Sequence, residues 1–187
     1  MKRKLIVATV ILVLSIFIGL AFGAVTANSN ILFNITHTKT VDLTELRDAL
    51  AITRGVAFAN GTGANQVNTV WHDRRTLADG ANETLDVNNG TLADAFGDTV
   101  VLKKLKLLYL KNNSADANLL VGGAAATQLG LFADTNDILK LRPSGVFIFI
   151  APDINAVDVS ANPDLKIAHD GSGSSSLTYD IILLGVE

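Results

Sequence analysis

Few side chains in this 187-residue sequence could do chemistry. Histidine is the usual general base near neutral pH. There are three: His37, His72 and His169. His72-Asp73 and His169-Asp170 resemble halves of a proton relay. Neighbours along a strand point to opposite faces, so neither pair has relay geometry. Ser172, Ser174, Ser175 and Ser176 follow His169, but no G-x-S-x-G elbow presents any of them as a nucleophile. The histidines lack the close spacing of zinc ligands. Asp134-Thr135-Asn136-Asp137 offers oxygens to Ca²⁺, yet lacks the loop and terminal Glu of an EF-hand, and reads as a turn or cap. Gly61-x-Gly63 and Gly122-Gly123 do not open a helix with a Lys or a third Gly, so they are turn glycines and not phosphate cradles. With no cysteine there is no disulfide, thiolate site or thiol nucleophile. No catalytic, cofactor-binding or metal residue is assigned, and the chain is expected to be non-enzymatic, without cofactors.

Two other residue sets stand out. The sequence holds five N-x-S/T acceptors: Asn34, Asn60, Asn82, Asn89 and Asn112. Chance gives roughly two. They are either glycosylation sites on an export route or the Asn-rich turns of a β protein; two of the five are Asn-Gly-Thr. Trp71, the one tryptophan, sits beside His72, Arg74 and Arg75, which could form part of a sugar platform, though core packing is the simpler use of that ring.

The elements that must position these residues read as strands. Short apolar runs are split by Asn60-Gly61, Asp79-Gly80, Asn89-Gly90, Ser144-Gly145 and Asp170-Gly171, where Gly and Asn supply the positive φ of tight turns. Strands are predicted at 31–38, 67–71, 84–87, 100–111, 118–121, 138–141, 146–150, 156–159, 165–168 and 177–184. Leu105, Leu107 and Tyr109 alternate with Lys104, Lys106 and Leu108, giving one apolar and one part-polar face. Val146–Ile150 is apolar throughout, so it is either buried on both faces or buried on one and used for a contact on the other. One helix is predicted, capped by Asp42, with Leu43, Leu46 and Leu50 at helical spacing and Gly55 ending it. Ser-rich residues 171–176 read as a loop before the last strand.

The N-terminus sets the compartment. Lys2, Arg3 and Lys4 precede an uncharged, mostly apolar run from Leu5 to Ala27. A signal peptide has an apolar core of roughly 7–15 residues. A spanning helix needs about 20. The run is long enough to span, and Val25-Thr26-Ala27 is a fair cleavage site. Residues 1–27 are therefore either a signal peptide or a membrane-anchor helix, and the basic start places the body outside the cytoplasm. Residues 28–41 follow as an extended N-terminal arm or first strand, and residues 42–187 as the β domain. Beyond the first four residues there are 12 basic and 18 acidic side chains, a net charge of about −6. Nucleic-acid binding, which needs a basic face, is not expected. Lys103, Lys104, Lys106 and Lys111 read as a solvated strand face, with Lys104 and Lys106 blunting a sheet edge.

Several stretches resemble a family of small bacteriophage virion structural proteins. They are Ala59-Asn60-Gly61-Thr62-Gly63-Ala64-Asn65-Gln66, His72-Asp73-Arg74-Arg75-Thr76-Leu77 and Gly80-Ala81-Asn82-Glu83-Thr84-Leu85-Asp86. Others are Leu92-Ala93-Asp94-Ala95-Phe96-Gly97, Leu107–Asn113, Val121-Gly122-Gly123-Ala124 and Leu141-Arg142-Pro143-Ser144-Gly145. Leu165-Lys166-Ile167 and Thr178–Gly185 complete the set. The match spans roughly residues 59–187. It implies a single β-sandwich, jelly-roll-like, that builds or decorates a particle surface, and it carries over no functional residue. The apolar start departs from the family's pattern and would suit a membrane-bearing virus or a cell-surface relative.

The expectation is an all-β protein with a single β-sandwich or jelly-roll-like domain behind an N-terminal hydrophobic helix. It would work as a structural subunit, forming a homo-oligomer or polymer, with other virion or surface-layer proteins as further partners. If uncleaved, residues 5–27 would hold it in a membrane. An exported pilus-like filament subunit is the first alternative. A type IV pilin-like junction would have Gly before the apolar run and Glu five residues in; Lys4-Leu5 has neither. After cleavage, residues 28–36 could instead act as a donor strand, against which stands their use as an ordinary first strand. A secreted carbohydrate-binding module built on Trp71 is the second alternative. Assembly contacts are expected at Ile31, Leu32, Phe33 and Ile35 on the arm, and at Phe147 and Phe149.

Overall fold

The computed structural model describes residues 24–42, 44–173 and 176–187. Among them every long element is a strand, and none is an α-helix. In chain order they are β1 (Ala27–Val41), β2 (Thr44–Asn60), β3 (Gln66–Val67), β4 (Thr69–Leu77), β5 (Asn82–Asp86), β6 (Leu92–Ala93) and β7 (Thr99–Val100). Then come β8 (Lys104–Asn112), β9 (Leu119–Gly122), β10 (Ile138–Leu141), β11 (Val146–Ile150), β12 (Val157–Asp158), β13 (Asp164–His169) and β14 (Leu177–Val186). A single 3-10 turn covers Ala125–Thr127. The expected N-terminal helix lies almost wholly outside the described residues. Of its last four, Ala24–Thr26 have no regular structure and Ala27 opens β1.

The bulk of the body is two antiparallel sheets, with β6 and β7 pairing apart from them. One has the order β10-β9-β13-β5; the other runs β11-β8-β14-β4, with β12 also paired to β8. The period of two decides what each face does. On β14, Leu177, Tyr179, Ile181 and Leu183 are buried, alternating with half-exposed Thr178, Asp180 and Ile182. On the other sheet Leu165 and Ile167 of β13, Leu119 and Val121 of β9 and Leu85 of β5 point inward. These two faces form one apolar cluster, with Trp71 in it. A polar strut crosses it. The Tyr179 hydroxyl donates to Glu83 Oε1 at 2.8 Å, and Arg75 Nε donates to Glu83 Oε2 at 2.7 Å. Burial, with the bond to Glu83, pushes the Tyr179 phenol up.

The regular alternation expected along β8 breaks at Lys106. The register shifts there: Leu184 opposes Leu107, but Gly185 opposes Leu105. Lys106 is the extra residue of a β-bulge, which flips the face. Leu105 joins Leu108 and Leu110 in the core between the sheets, whereas Leu107 belongs to a second cluster on the outer side. Nor do Lys104 and Lys106 blunt an edge, because β8 is flanked on both sides. Lys106 is fully buried, its Nζ donating to the Gly63 carbonyl at 2.6 Å and the Asp153 carbonyl at 2.9 Å. Burial lowers its pKa. Lys104 Nζ donates to the Ile154 carbonyl at 2.9 Å.

Where a helix is expected, residues 44–50 form a strand instead. β1 and β2 pair antiparallel along their whole length, from Ala27↔Phe58 to Val41↔Thr44. Leu46, Leu50, Ile52, Val56 and Phe58 are all even-numbered, and this two-residue repeat prevails over the 43/46/50 spacing once β1 is there to pair. Residues 28–41 are therefore half of a two-stranded ribbon, and residues 44–60 belong to it as the other half.

Candidate functional site

The ribbon has two unlike faces. Register places Ala27, Ser29, Ile31, Phe33, Ile35, His37 and Lys39 on one face with Phe58, Val56, Arg54, Ile52, Leu50, Asp48 and Leu46. The opposite face carries Asn28, Asn30, Leu32, Asn34, Thr36, Thr38 and Thr40 with Ala57, Gly55, Thr53, Ala51, Ala49, Arg47 and Glu45. One face is thus largely apolar, the other small and polar. Only the base of the apolar face is covered. Phe58 is buried with Leu107, Leu184 and Val67, and Val25, Ala27 and Val56 pack against them. Beyond the base, from Ile31↔Arg54 to Val41↔Thr44, the ribbon runs on for about 35 Å at the ordinary strand rise. Along this stretch Phe33 is 56% exposed, Ile35 54%, Leu46 56% and Leu50 49%. A two-stranded hairpin alone is marginal in water. An uncovered apolar face on one is the mark of a surface built to be covered.

The base rests on the outer face of the five-stranded sheet, which is organised in rows by register. Ile150, Leu107, Leu184 and Val70 form the first row, under the ribbon base; Ile148, Tyr109, Ile182 and His72 form the second. Val146, Lys111, Asp180 and Arg74 form the third. The first row is covered. In the second, Ile148 is exposed and Tyr109 and Ile182 are half-exposed. In the third, Arg74 Nε donates to Asp180 Oδ1 at 2.6 Å, and that bond lowers the Asp180 pKa.

Of the residues expected at an assembly surface, Leu32, Phe33 and Ile35 are exposed and Ile31 is half-exposed. Phe147 and Phe149 are different. They point inward and pack on the core, while Val146 and Ile148 of the same strand face out. The outward side of β11 is the even-numbered one, because Phe147 and Phe149 fill the space beside Leu110 and Leu108, their register partners. Leu46, Leu50 and Ile52 join this surface only because the expected helix is replaced by β2. Phe96 is 90% exposed between β6 and β7, and no periodic signal marks it.

The other candidates scatter. His37 lies on the ribbon, His72 on the outer sheet face, and His169 in the core, its Nδ1 accepting from the Gly171 amide at 2.9 Å. Asp170 turns the other way. It takes Lys140 Nζ at 2.9 Å, Asn118 Nδ2 at 2.8 Å and the Ser172 hydroxyl, which hold its pKa well below the usual carboxylate range. Asp134 and Asp137 accept backbone amides of their own turn. Asn34, Asn60, Asn82 and Asn89 are exposed. Asn112 is fully buried, its Nδ2 donating to the carbonyls of Ala117 and Leu141, so the fold leaves no room for a glycan there. Trp71 is 4% exposed and offers no ring face to a sugar. An open cleft of about 750 Å³ between the ribbon base and residues 94–100 is lined by no histidine, lysine or serine. Among the described residues no helix is long and apolar enough to cross a membrane. No family model and no curated protein matches this chain.

Proposed function

We propose that the protein is a non-enzymatic structural subunit, a β-sandwich of jelly-roll type that self-assembles into or decorates the surface of a virus particle. The observation that carries this reading is the projecting ribbon, with Phe33, Ile35, Leu46 and Leu50 uncovered along one face. Two layered sheets sharing one apolar core support the sandwich, and the phrases shared with small phage virion proteins support the setting. The test is to shorten the ribbon in register. Ile31 and Arg54 are partners. Joining them through Asn-Gly, a two-residue hairpin turn, removes the exposed part and keeps the base. The shortened chain should keep the cooperative thermal unfolding of the body and remain a monomer where the wild type forms larger species. Assembly undiminished by the truncation would overturn the reading.

A second reading, a subunit of an exported surface filament, is favoured by one specific feature. β1 is an edge strand over its full length, since its sheet has the order β1-β2-β3. Such an edge can accept a strand from a neighbour. Mass spectrometry of purified virions against purified cell-surface filaments separates the two settings.

A further inference from the structure

We propose that the apolar face of the ribbon docks on the outer face of the five-stranded sheet of a second copy of this chain. Ile35 and Leu50 would lie over the row Ile148, Tyr109 and Ile182, with Asp48 set against Lys111. The proposal rests on the self-assembly reading above and names the surface that reading leaves open.

Three observations carry it. The first is continuity. Within one chain, Phe58, Val56 and Ala27 at the ribbon base already pack on the first row of this sheet face. The second row adjoins it, is apolar from Ile148 through Tyr109 to Ile182 before ending in exposed His72, and is left half-open because the ribbon runs on past its base instead of lying down. The contact that forms within the chain is thus a template for the contact between chains. The second is spacing. Same-face pairs along a ribbon and along a sheet repeat at nearly the same interval, two residues or about 6.7 Å, so two such faces interdigitate as layers. The third is the order of polar and apolar groups. Moving outward from the base, the ribbon face passes the pair Ile31 and Arg54, then the apolar pairs Phe33 with Ile52 and Ile35 with Leu50, then the pair His37 and Asp48. The sheet face goes from the second row to the third, where Asp180 is held by Arg74 and Lys111 adds a positive charge. Asp48 and Lys111 therefore fall at matching distances from the apolar rows.

The test is a charge swap on the full chain, read by sedimentation velocity. Asp48→Lys and Lys111→Asp each place like charges together and should weaken self-association at least about tenfold. The double variant Asp48→Lys/Lys111→Asp restores the pair and should return association to within about threefold of wild type. Both positions are at least partly solvent-accessible. A far-ultraviolet spectrum checks that each variant is folded. If the wild type assembles and the ribbon truncation abolishes assembly, but the swaps change nothing or the double fails to recover, this docking surface is wrong while the assembly reading stands. A chain that is monomeric at every concentration, both with residues 2–23 and without them, overturns both. So does a monomer that floats with phosphatidylcholine vesicles only while the ribbon is intact, because the face then meets lipid. A chain that associates only once residues 2–23 are deleted, and whose association falls in each single swap and returns in the double, supports the proposal.

Discussion

Replacing Lys106 with Met should loosen the base of the ribbon and lower stability by about 1–3 kcal/mol, the balance of two larger effects. The ammonium makes charge-assisted bonds of 2.6 Å to the Gly63 carbonyl and 2.9 Å to the Asp153 carbonyl. Each such bond contributes roughly 1.5–3 kcal/mol. Methionine fills the stem's volume but donates nothing, so both carbonyls lose their partner. Against this, the variant no longer buries a charge, which recovers a few kcal/mol. For a chain of this size the remainder lowers Tm by about 3–10 °C. The bonds tie together two loops that also meet through the Asn65 amide and the Pro152 carbonyl, 2.7 Å apart. Hydrogen exchange at Asn65 should therefore quicken more than exchange in β13. Burial holds the Lys106 pKa below its ordinary 10.5, so the folded protein sheds this proton more readily than the unfolded chain. The stability gap between wild type and variant should accordingly widen as pH rises towards 10.5. Thermal melts followed by circular dichroism measure the first effect. An unchanged or raised Tm, with exchange at Asn65 unaltered, would show that the clamp does not hold the loops.

Gly185→Ala should destabilise the body by about 1–3 kcal/mol, visible as a lower Tm. A Cβ there would lie 2.2 Å from the Lys104 carbonyl oxygen and 2.8 Å from Leu102 Cδ2, so the bulge backbone would have to move. Asp170 is held ionised by Lys140, Ser172 and Asn118. Its folded pKa lies below its unfolded value, so its contribution is complete above about pH 4 and is lost as pH falls further. Asp170→Asn should flatten the fall in Tm on acidification from about pH 4 to about pH 2, compared with wild type.

Where periodicity and turn chemistry agreed, the elements were legible. The strands at 138–141 and 146–150 fall at the residues expected, and the turn glycines Gly61, Gly80, Gly90 and Gly171 take the positive φ assigned to them. At Ser144-Gly145 it is Ser144, at φ 62°, that does so. Gly145 fits for another reason: a Cβ would come within 2.8 Å of the Arg142 carbonyl oxygen. What the sequence hid was non-local. Residues 43–54 carry both a helical and a strand repeat, and only pairing with β1 decides between them. The bulge at Lys106 depends on how β14 aligns with β8, about eighty residues later, and no pattern within β8 announces it. The arm's apolar residues stand out in the sequence, and the fold leaves them exposed or half-exposed. Their other half on β2, and the outward side of β11, required knowing which strand neighbours which.

The ribbon also orders events in time. Its strands meet across the shortest loop available, between Val41 and Thr44, whereas β4 and β14 join residues a hundred or more positions apart. Local hairpins close in microseconds, and distant pairings wait on the search through a long chain. β1 and β2 are also made first and β14 last. Nascent chains would therefore display an adhesive apolar strip before the sheet face proposed to receive it exists. Crowded synthesis then favours premature clumping through the ribbon, so yield should depend on how quickly β14 completes the body.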